Sequence, residues 1–260
     1  MRTVTGKYVT INEHNVFFAD ITTFLMSNFD TELFADAVIV LGSYLFRSID
    51  ELRRLHPGKR IIVFQLESMT SRNHQSPSHL FVIDRVRDAD EVWEYDPANS
   101  AILAAAGIKN RVVPFTYTQA LDVGLDKYEC DIDLLFYGIL NHRRVNILEP
   151  MQAQLYGRRS FLFAFGLCGD ALDSYIKRSK IILNMHAFDN QAQEQVRILR
   201  PVCNGKMVLS EHSRYNHYGN SIVEFNSIES LVQKIDYYLD ENRYKAFGAN
   251  AREEFKRPRF

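Results

Sequence analysis

Short apolar runs alternate along most of the chain with segments of helix-like spacing. The runs AVIVL at residues 37–41 and RIIVFQL at 60–66 are typical of strands buried on both faces. The segments between such runs place apolar residues three and four positions apart, as in a helix that packs one face on a sheet. This alternation predicts an α/β protein with parallel, doubly wound sheets.

The alternation occurs in two sets. The first set is predicted to contain strands at 7–11, 37–41, 60–66, 91–95 and 111–115 and helices at 17–29, 48–55, 80–89 and 97–106. The second set is predicted to contain strands at 133–137, 160–165, 180–183, 207–209 and 221–225 and helices at 145–156, 170–178, 194–200, 227–239 and 241–255. Residues 116–130 lose the periodicity, so we predict two domains, 1–125 and 126–260.

Composition agrees with a globular protein that has a proper core. The 260 residues are 46% hydrophobic and 24% charged, and the formal net charge of -1 gives no global basic field for nucleic acid. The three cysteines lie far apart, which argues against a disulfide framework and fits a reducing compartment. The N-terminal residues lack a signal-peptide pattern, and no apolar run is long enough for a membrane helix, so we expect a soluble, cytoplasmic protein.

Several common catalytic motifs are absent from the sequence. There is no G-x-x-x-x-G-K-[ST] loop and no G-x-G-x-x-G after the first strand, which argues against P-loop NTPases and classical dehydrogenases. There is also no G-x-S-x-G elbow and no H-E-x-x-H spacing, which argues against α/β-hydrolases and zinc sites. We therefore expect neither a metal nor a cofactor.

The stretch 179–211 is the most informative part of the chain. It is predicted to contain a buried strand, a polar loop, a helix, a turn at Asn204-Gly205 and a second strand. A strand that ends in a polar loop before a helix forms an anion site, because the N–H groups at the helix start are unpaired. Asn184 and His186 lie in this loop. His186 can bind a phosphate or a transferred sugar, or it can be a loop histidine satisfied by the backbone.

Other polar residues also follow predicted strands. Gly138 ends a strand, where a missing side chain lets a phosphate approach backbone N–H groups, and Arg143 and Arg144 follow in a polar turn. The alternative is a C-cap glycine with two solvated arginines, of which the sequence does not choose the inward one. Glu194 and Arg197 are three residues apart and share a helix face, either as ligands for ribose and phosphate or as a surface ion pair.

Four segments, taken in order, resemble the pattern of small GT-B glycosyltransferases, and most closely the spore-maturation type. They are FQLE at 64–67, DEVWEYD at 90–96, DIDLLFYG at 131–138 with Arg143-Arg144 after it, and the stretch 179–211. The resemblance implies two Rossmann-like domains facing a central cleft. It also implies that the C-terminal half holds a nucleotide-sugar donor without a metal, that the N-terminal half holds the acceptor, and that the last helix crosses back.

The chain departs from the family pattern at one position. Where most members have a ribose-binding glutamate five residues before the turn glycine, this chain has Arg200, although Arg197 matches the family's arginine. Glu194 or Glu211 is therefore expected to replace the ribose contact. In the first half, Glu67 ends a strand and is our candidate general base or acceptor-binding carboxylate, or else a cap. His74, His79 and Asp20 are weaker candidates.

We therefore predict a metal-independent transferase that moves a sugar from a nucleoside-diphosphate donor, with UDP expected, to a hydroxyl acceptor. The predicted catalytic residues are Glu67 and His186. The acceptor is a glycan, a lipid-linked sugar or another hydroxylated molecule, or alternatively a hydroxymethylated base in duplex DNA, as in phage enzymes acting in an infected host cell. Basic clusters at 53–54, 59–60, 158–159 and 256–259 favour DNA, whereas the net charge opposes it. A non-catalytic nucleotide-sugar-binding module is the third alternative.

Overall fold

A computed structural model describes residues 3–5, 9–11, 18–44, 46–69, 79–189 and 192–257. The chain forms two compact units, Met1–Phe115 and Thr116–Phe260. Each unit contains its own sheet with helices around it and its own hydrophobic core. The α/β class predicted from the alternating pattern is confirmed.

Unit 1 contains a six-stranded sheet with the order β1-β2-β3-β4-β5-β6, in which only the β1–β2 pair is antiparallel. Helix α2 and strand β1 were not predicted. The elements are β1 (Thr3–Thr5), β2 (Val9–Ile11), α1 (Ala19–Asn28), α2 (Thr31–Asp36), β3 (Ala37–Leu41), α3 (Ile49–Leu55), β4 (Arg60–Gln65), α4 (His79–Val86), β5 (Glu91–Glu94), α5 (Pro97–Ala105) and β6 (Asn110–Val112).

The central strands of unit 1 owe their stability to burial on both faces. All five residues of β3 are buried, and in β4 every residue after Arg60 is buried. Removing each such aliphatic side chain from water contributes about 1.5–3 kcal/mol. This burial explains why these two continuous apolar runs predict strand positions so well.

Unit 2 contains a five-stranded, fully parallel sheet with the order β11-β10-β9-β7-β8. Its elements are β7 (Ile132–Tyr137), α6 (His142–Leu155), β8 (Phe161–Ala164), α7 (Gly169–Ile176), β9 (Ser179–Asn184), α8 (Gln195–Cys203), β10 (Met207–Glu211), β11 (Val223–Phe225), α9 (Ile228–Leu239) and α10 (Arg243–Lys256).

The strand order of unit 2 reverses at β7, which lies between β8 and β9. The chain passes from β7 outward to β8 and then returns to the other side of β7. In open parallel sheets the loops diverge at such a reversal and leave a crevice at the carboxyl ends of the strands. A ligand crevice is therefore expected where β7 and β9 end.

The two units meet in sequence at Phe115–Thr116, before the boundary predicted at 125–126. The reason is the side chain of Asn204, which is fully buried after α8. Its Oδ1 accepts from the backbone N–H groups of Val123 (2.9 Å) and Leu125 (3.2 Å), and its Nδ2 donates to the Leu121 carbonyl (2.7 Å). These bonds fix the segment before β7 to α8, and so the segment belongs to unit 2.

Two of the differences between predicted and observed helix starts affect candidate residues. Helix α6 begins at His142 because Asn141 Oδ1 accepts from the Arg144 N–H (3.0 Å), an N-cap bond. Arg143 and Arg144 therefore lie in the first helical turn and not in a turn before the helix. Glu194 occupies the N-cap position of α8 and is not inside that helix. Within the described ranges, no helix is long and apolar enough to cross a membrane.

Helix α10 packs closely at Gly248 against the backbone of Gly205 in the turn after α8. A Cβ added to Gly248 would lie 2.0 Å from the carbonyl oxygen of Gly205. Alanine is the better helix former, so Gly248→Ala would stabilise a free helix by about 1 kcal/mol. We expect the opposite here, a loss of about 1–3 kcal/mol in the free energy of urea unfolding, because the helix must move away.

The matched control is Ala246→Gly, at an exposed position of the same helix. It should cost only about 1 kcal/mol through helix propensity. A Gly248→Ala protein that is more stable than the native one would contradict the packing.

Candidate functional site

The eight predicted donor-site residues form two neighbouring sets of contacts, joined through the adjacent Arg143 and Arg144, at the carboxyl ends of β7, β9 and β10 in unit 2. Each contacts at least one other member through a hydrogen bond, an ion pair or close packing. One contact in the group joins residues 68 positions apart in sequence, Arg143 and Glu211. The members are Gly138, Arg143, Arg144, Asn184, His186, Glu194, Arg197 and Glu211.

Gly138 makes room for a guanidinium group. Its φ is +126°, a value that favours glycine, and an added Cβ would lie 2.8 Å from Arg197 Nη2. The prediction attributed this glycine to the approach of a phosphate. The structure gives a nearer reason, since the space beside the glycine backbone contains the end of Arg197.

Arg197 is held from several sides. Its Nη1 donates to Asn184 Oδ1 (3.1 Å) and to the Met185 carbonyl (3.3 Å), and lies 3.6 Å from Glu194 Oε2. The guanidinium carbon lies 5.5 Å from the ring centroid of Phe136, a cation–π distance. The predicted pairing with Glu194 is therefore present. It is partly buried and not a solvated surface pair, since the Arg197 side chain is 12% exposed.

Asn184 is fully buried, and both ends of its amide are bonded within the protein. Its Oδ1 accepts from Arg197, and its Nδ2 donates to Ser210 Oγ (3.0 Å) on β10. The side chain thus links β9 to β10 and fixes the direction of Arg197.

Arg144 is the more deeply buried of the two adjacent arginines, with 3% of its side chain exposed. It donates to the carbonyls of Ile139 (2.7 Å) and Met185 (2.9 Å) and to Glu194 Oε1 (3.0 Å). Burial, together with the charge of Arg197, lowers the pKa of Arg144 to about 10, so the group stays protonated at neutral pH. The hydrogen bonds that the Arg144 guanidinium makes are to other groups of the protein.

Arg143 is 22% exposed and forms the outer ion pair of the group. It forms a bidentate salt bridge with the Glu211 carboxylate, in which Nη1 donates to Oε2 (2.8 Å) and Nη2 donates to Oε1. It also donates to Asp189 Oδ1 (2.5 Å) and to the His186 carbonyl (3.1 Å). Burial alone would raise the pKa of Glu211, but the hydrogen bonding of Arg143, the neighbouring His186 and the charge of Arg143 together outweigh burial and lower it.

His186 is 1% exposed and lies where β9 and β10 end. Its Nε2 lies 2.9 Å from the carbonyl oxygen of His212, and its backbone N–H donates to Glu211 Oε2 (3.0 Å). Its Nδ1 is buried and has no hydrogen-bond partner in the described part of the chain. The backbone thus satisfies only one of the two ring nitrogens.

Arg200 lies outside this group. Its guanidinium pairs with the Asp173 carboxylate on α7 through two contacts of 2.5 Å, and both side chains are largely buried. The position that carries a ribose-binding glutamate in the resembling family therefore carries a helix-to-helix ion pair here. The departure is visible in the sequence, but the partner is not, because no local pattern distinguishes Asp173.

The candidate base Glu67 belongs to unit 1 and follows β4. Its backbone carbonyl accepts from Gln65 Nε2 (3.0 Å) and Asn99 Nδ2 (2.9 Å), which fixes the loop. Burial and then the negative charge of Glu67 raise the pKa of Tyr44 to about 12, so a phenol that sequence analysis missed lies near this carboxylate. Asp20 lies in the first turn of α1, and the side chains of His74 and His79 fall outside the described residues.

The predicted basic clusters are partly neutralised by ion pairs. Each cluster contains at least one cation that contacts a carboxylate, and this weakens the electrostatic case for DNA. The pairs are Arg53–Asp90, Arg60–Glu91, Arg158–Asp236, Arg159–Asp240, Lys256–Glu253 and Arg257–Glu254. No group of three or more His, Cys, Asp or Glu side chains among the described residues is arranged to hold a metal ion.

No protein-family model and no curated protein matches this sequence. Solved structures do match. Sucrose-phosphate synthase from Thermosynechococcus elongatus gives a TM-score of 0.59 at 13% identity, over 98% of this chain and 78% of that one. HepE from Anabaena, in complex with UDP and glucose, gives 0.59 at 12% identity, over 86% and 73%. This chain has the GT-B fold.

A glycosyltransferase from Rickettsia africae is similar too, with a TM-score of 0.52 at 13% identity over 94% of this chain and 78% of that one. The predicted GT-B class, with two Rossmann-like domains, is confirmed. The spore-maturation subfamily and a viral origin stay predictions.

The Arg143–Glu211 pair gives a pH prediction for the GT-B unit that contains it. We expect Glu211→Gln to cost about 1.5–3 kcal/mol of unfolding free energy at neutral pH, the value of a hydrogen bond to a charged group. Since the folded pKa of Glu211 is lowered, its contribution is complete above its ordinary pKa of 4.5 and is lost as pH falls through the lowered value. The cost of the substitution should therefore shrink in acid.

Urea unfolding across the acid range measures this cost. Glu149→Gln, at an exposed position of α6, is the control and should show little cost at any pH. A Glu211→Gln penalty that does not change with pH would show that the ion pair does not supply the stability.

Proposed function

We propose that this chain is a glycosyltransferase that binds a nucleoside diphosphate sugar, with UDP as the expected nucleotide, and transfers the sugar to a hydroxyl acceptor. The observation that carries the proposal is the pair Arg143 and Arg197 at the strand reversal of a GT-B unit. Guanidinium forks match the geometry of phosphate oxygens, and the crevice at such a reversal is where ligands bind in open parallel sheets.

In the proposed reaction the glycosidic bond to the donor phosphate breaks and the nucleoside diphosphate leaves. Negative charge therefore grows on the diphosphate in the transition state. Arg143 and Arg197 would offset this charge from fixed positions, which is worth more than the same groups in water. Because arginines supply the positive charge, we propose a reaction that does not need a metal.

Two predicted ligands become positioning residues in the proposal. Arg144 and Asn184 have their polar atoms bonded to protein, and both hold Arg197 or its partner Glu194. We assign the direct phosphate contacts to Arg143 and Arg197, whose side chains are partly exposed. Binding of a diphosphate would release Asp189, an exposed residue, from Arg143.

We propose Glu67 as the general base, or as a carboxylate that binds the acceptor hydroxyl. Its strand-end position in unit 1 and the nearby Tyr44 phenol, which stays protonated and can donate a hydrogen bond, support this role. We also propose a cytoplasmic location, because three free cysteines fit a reducing compartment.

Calorimetric titration with UDP and with UDP-, GDP- and TDP-sugars tests the donor. We expect UDP-sugar binding, and on the order of tenfold weaker binding for Arg197→Lys, which keeps the charge but loses the planar fork. The control is Arg158→Ala, an ion-paired residue between α6 and β8 at the opposite end of the strands, which should bind normally. No binding of any nucleotide sugar would overturn the proposal.

A second arm of the same experiment separates an enzyme from a binding module. An enzyme should hydrolyse the bound donor slowly or transfer its sugar to an added acceptor. Tight donor binding with neither hydrolysis nor transfer would favour a non-catalytic nucleotide-sugar-binding module.

For the acceptor we propose a glycan or another hydroxylated small molecule ahead of DNA, because the basic clusters are partly ion-paired. Binding to duplex DNA should therefore be weak and change little with salt. Filter binding between low and physiological salt measures this. Tight binding that falls steeply as salt rises would instead support the alternative of a modified DNA base as acceptor.

A further inference from the structure

We propose that His186 recognises a sugar hydroxyl of the bound nucleotide sugar, with the bare Nδ1 of its neutral ring as the hydrogen-bond acceptor. This inference rests on the proposed function and goes one step beyond it. It assigns the tautomer, the accepting atom and the class of ligand group for a residue that the sequence left open between phosphate and sugar.

The tautomer follows from the backbone contact. Nε2 lies 2.9 Å from the carbonyl oxygen of His212. A carbonyl oxygen only accepts hydrogen bonds, so Nε2 must carry a proton and donate it. In the neutral ring the other nitrogen, Nδ1, then has a lone pair and no proton. The backbone of the loop after β10 therefore selects which nitrogen faces a ligand as an acceptor.

The unpartnered Nδ1 atom of His186 is the observation that indicates a ligand. Nδ1 is buried in a side chain that is 1% exposed, and within the described residues nothing donates to it. A buried acceptor without a donor destabilises the folded protein, so folded proteins seldom leave such an atom unpaired. A ligand hydroxyl removes that cost when it donates to Nδ1.

A protonated ring would fit this position less well. In an imidazolium both nitrogens donate, and the described residues offer an acceptor only at Nε2. The carboxylates of Glu194 and Glu211 are near enough to interact with a charged ring, but neither accepts a hydrogen bond from Nδ1, so a charged ring would still bury an unpaired N–H. We therefore assign a neutral ring that binds a hydroxyl, rather than a cation that binds a phosphate.

The position of His186 fits a hydroxyl next to a diphosphate. Gly138 and Arg197 mark the β7–β9 edge, while His186 lies one strand further along, between the ends of β9 and β10. In a nucleotide sugar the diphosphate has ribose on one side and the transferred sugar on the other. Both present hydroxyls within one sugar ring of the phosphates, so either of them is a candidate donor to Nδ1.

The assignment also accounts for the departure at Arg200. That residue is paired with Asp173, and Glu211 and Glu194 both accept from guanidinium and backbone N–H groups. His186 Nδ1 is the neutral acceptor in the described group that has no bond of its own. Recognition of a sugar hydroxyl can thus rest on a histidine where the resembling family uses a carboxylate.

The test compares ligands that differ by single groups. The affinity for inorganic pyrophosphate measures binding at the arginines. Comparing UDP with 2′-deoxy-UDP and 3′-deoxy-UDP measures the contribution of the ribose hydroxyls. Comparing UDP-glucose with UDP measures the contribution of the transferred sugar. In either the ribose comparison or the transferred-sugar comparison, we expect His186→Ala to reduce the preference for the ligand that carries the hydroxyl by roughly 3- to 10-fold. This factor corresponds to the loss of one neutral hydrogen bond. Its affinity for pyrophosphate should stay within about twofold of the native protein, because no phosphate contact is removed.

His186→Asn and His186→Gln form a matched pair. The Asn amide oxygen can occupy the place of Nδ1, whereas Gln reaches the place of Nε2. We expect His186→Asn to retain part of the ligand preference that His186→Ala loses, and His186→Gln to retain none of it. An unchanged preference in both comparisons for His186→Ala, or an equal loss for pyrophosphate and the nucleotides, would overturn the inference.

Nitrogen-15 NMR of histidine-labelled native protein tests the tautomer without any substitution. The His186 signals should show a neutral ring with the proton on Nε2, and the Nδ1 signal should shift when UDP or UDP-glucose binds. A proton on Nδ1, or a charged ring in the complex, would overturn the inference even if no variant folds. Native protein that binds no nucleotide refutes the proposed function, while the tautomer result remains a separate outcome.

Discussion

The site in unit 2 depends on one constraint: guanidinium groups at the strand ends are removed from water and must find partners inside the protein. Moving a cation into a protein interior costs several kcal/mol unless hydrogen bonds and opposite charges replace its hydration. Arg144 meets this requirement with two carbonyls and Glu194, and Arg143 meets it with Glu211. The carboxylates are therefore as necessary to the fold as they are to any ligand.

This charge balance explains how the arginines are oriented in advance for the ligand that we propose. Each guanidinium is oriented by a neighbour from a different element, so folding fixes its direction. Asn184 of β9 is bonded to both Arg197 and β10, and Gly138 of β7 leaves the space that the same guanidinium fills. The cost of ordering long side chains is thus met during folding, and little of it remains for binding.

Much of the fold could be predicted because its signals are local. Buried strands appear as continuous apolar runs, and helices α3 and α9 begin after serines whose side chains accept from the first-turn N–H groups. Helix α2 was missed because its six residues carry no helical period of their own. The start of α6 was placed too late because Asn141, its cap, resembles an ordinary turn residue until its bond to the Arg144 N–H is seen.

The grouping of the candidate residues was also predictable, since parallel strands end at one edge of a sheet and each candidate lies at the end of a strand, in the loop after it or in the first turn of the next helix. The division of labour among them was not, because it depends on distant partners. Nothing local separates Arg143 from Arg144, yet one meets Glu211, 68 residues away, at the partly exposed side, and the other is buried.

The role of Arg200 also depends on a partner that is distant in sequence, and this dependence bears on the proposed function. Read alone, an arginine in place of a ribose-binding glutamate looks like the loss of a contact. With Asp173 on α7 opposite, it is one half of a pair, and a glutamate at position 200 would face a second carboxylate in a largely buried place. Like charges at that distance repel, so the single reversal would destabilise α7 and α8 without restoring a ribose contact. The departure is therefore built into the packing of unit 2, and in the proposed function hydroxyl recognition has to come from groups that the Arg200–Asp173 pair leaves available.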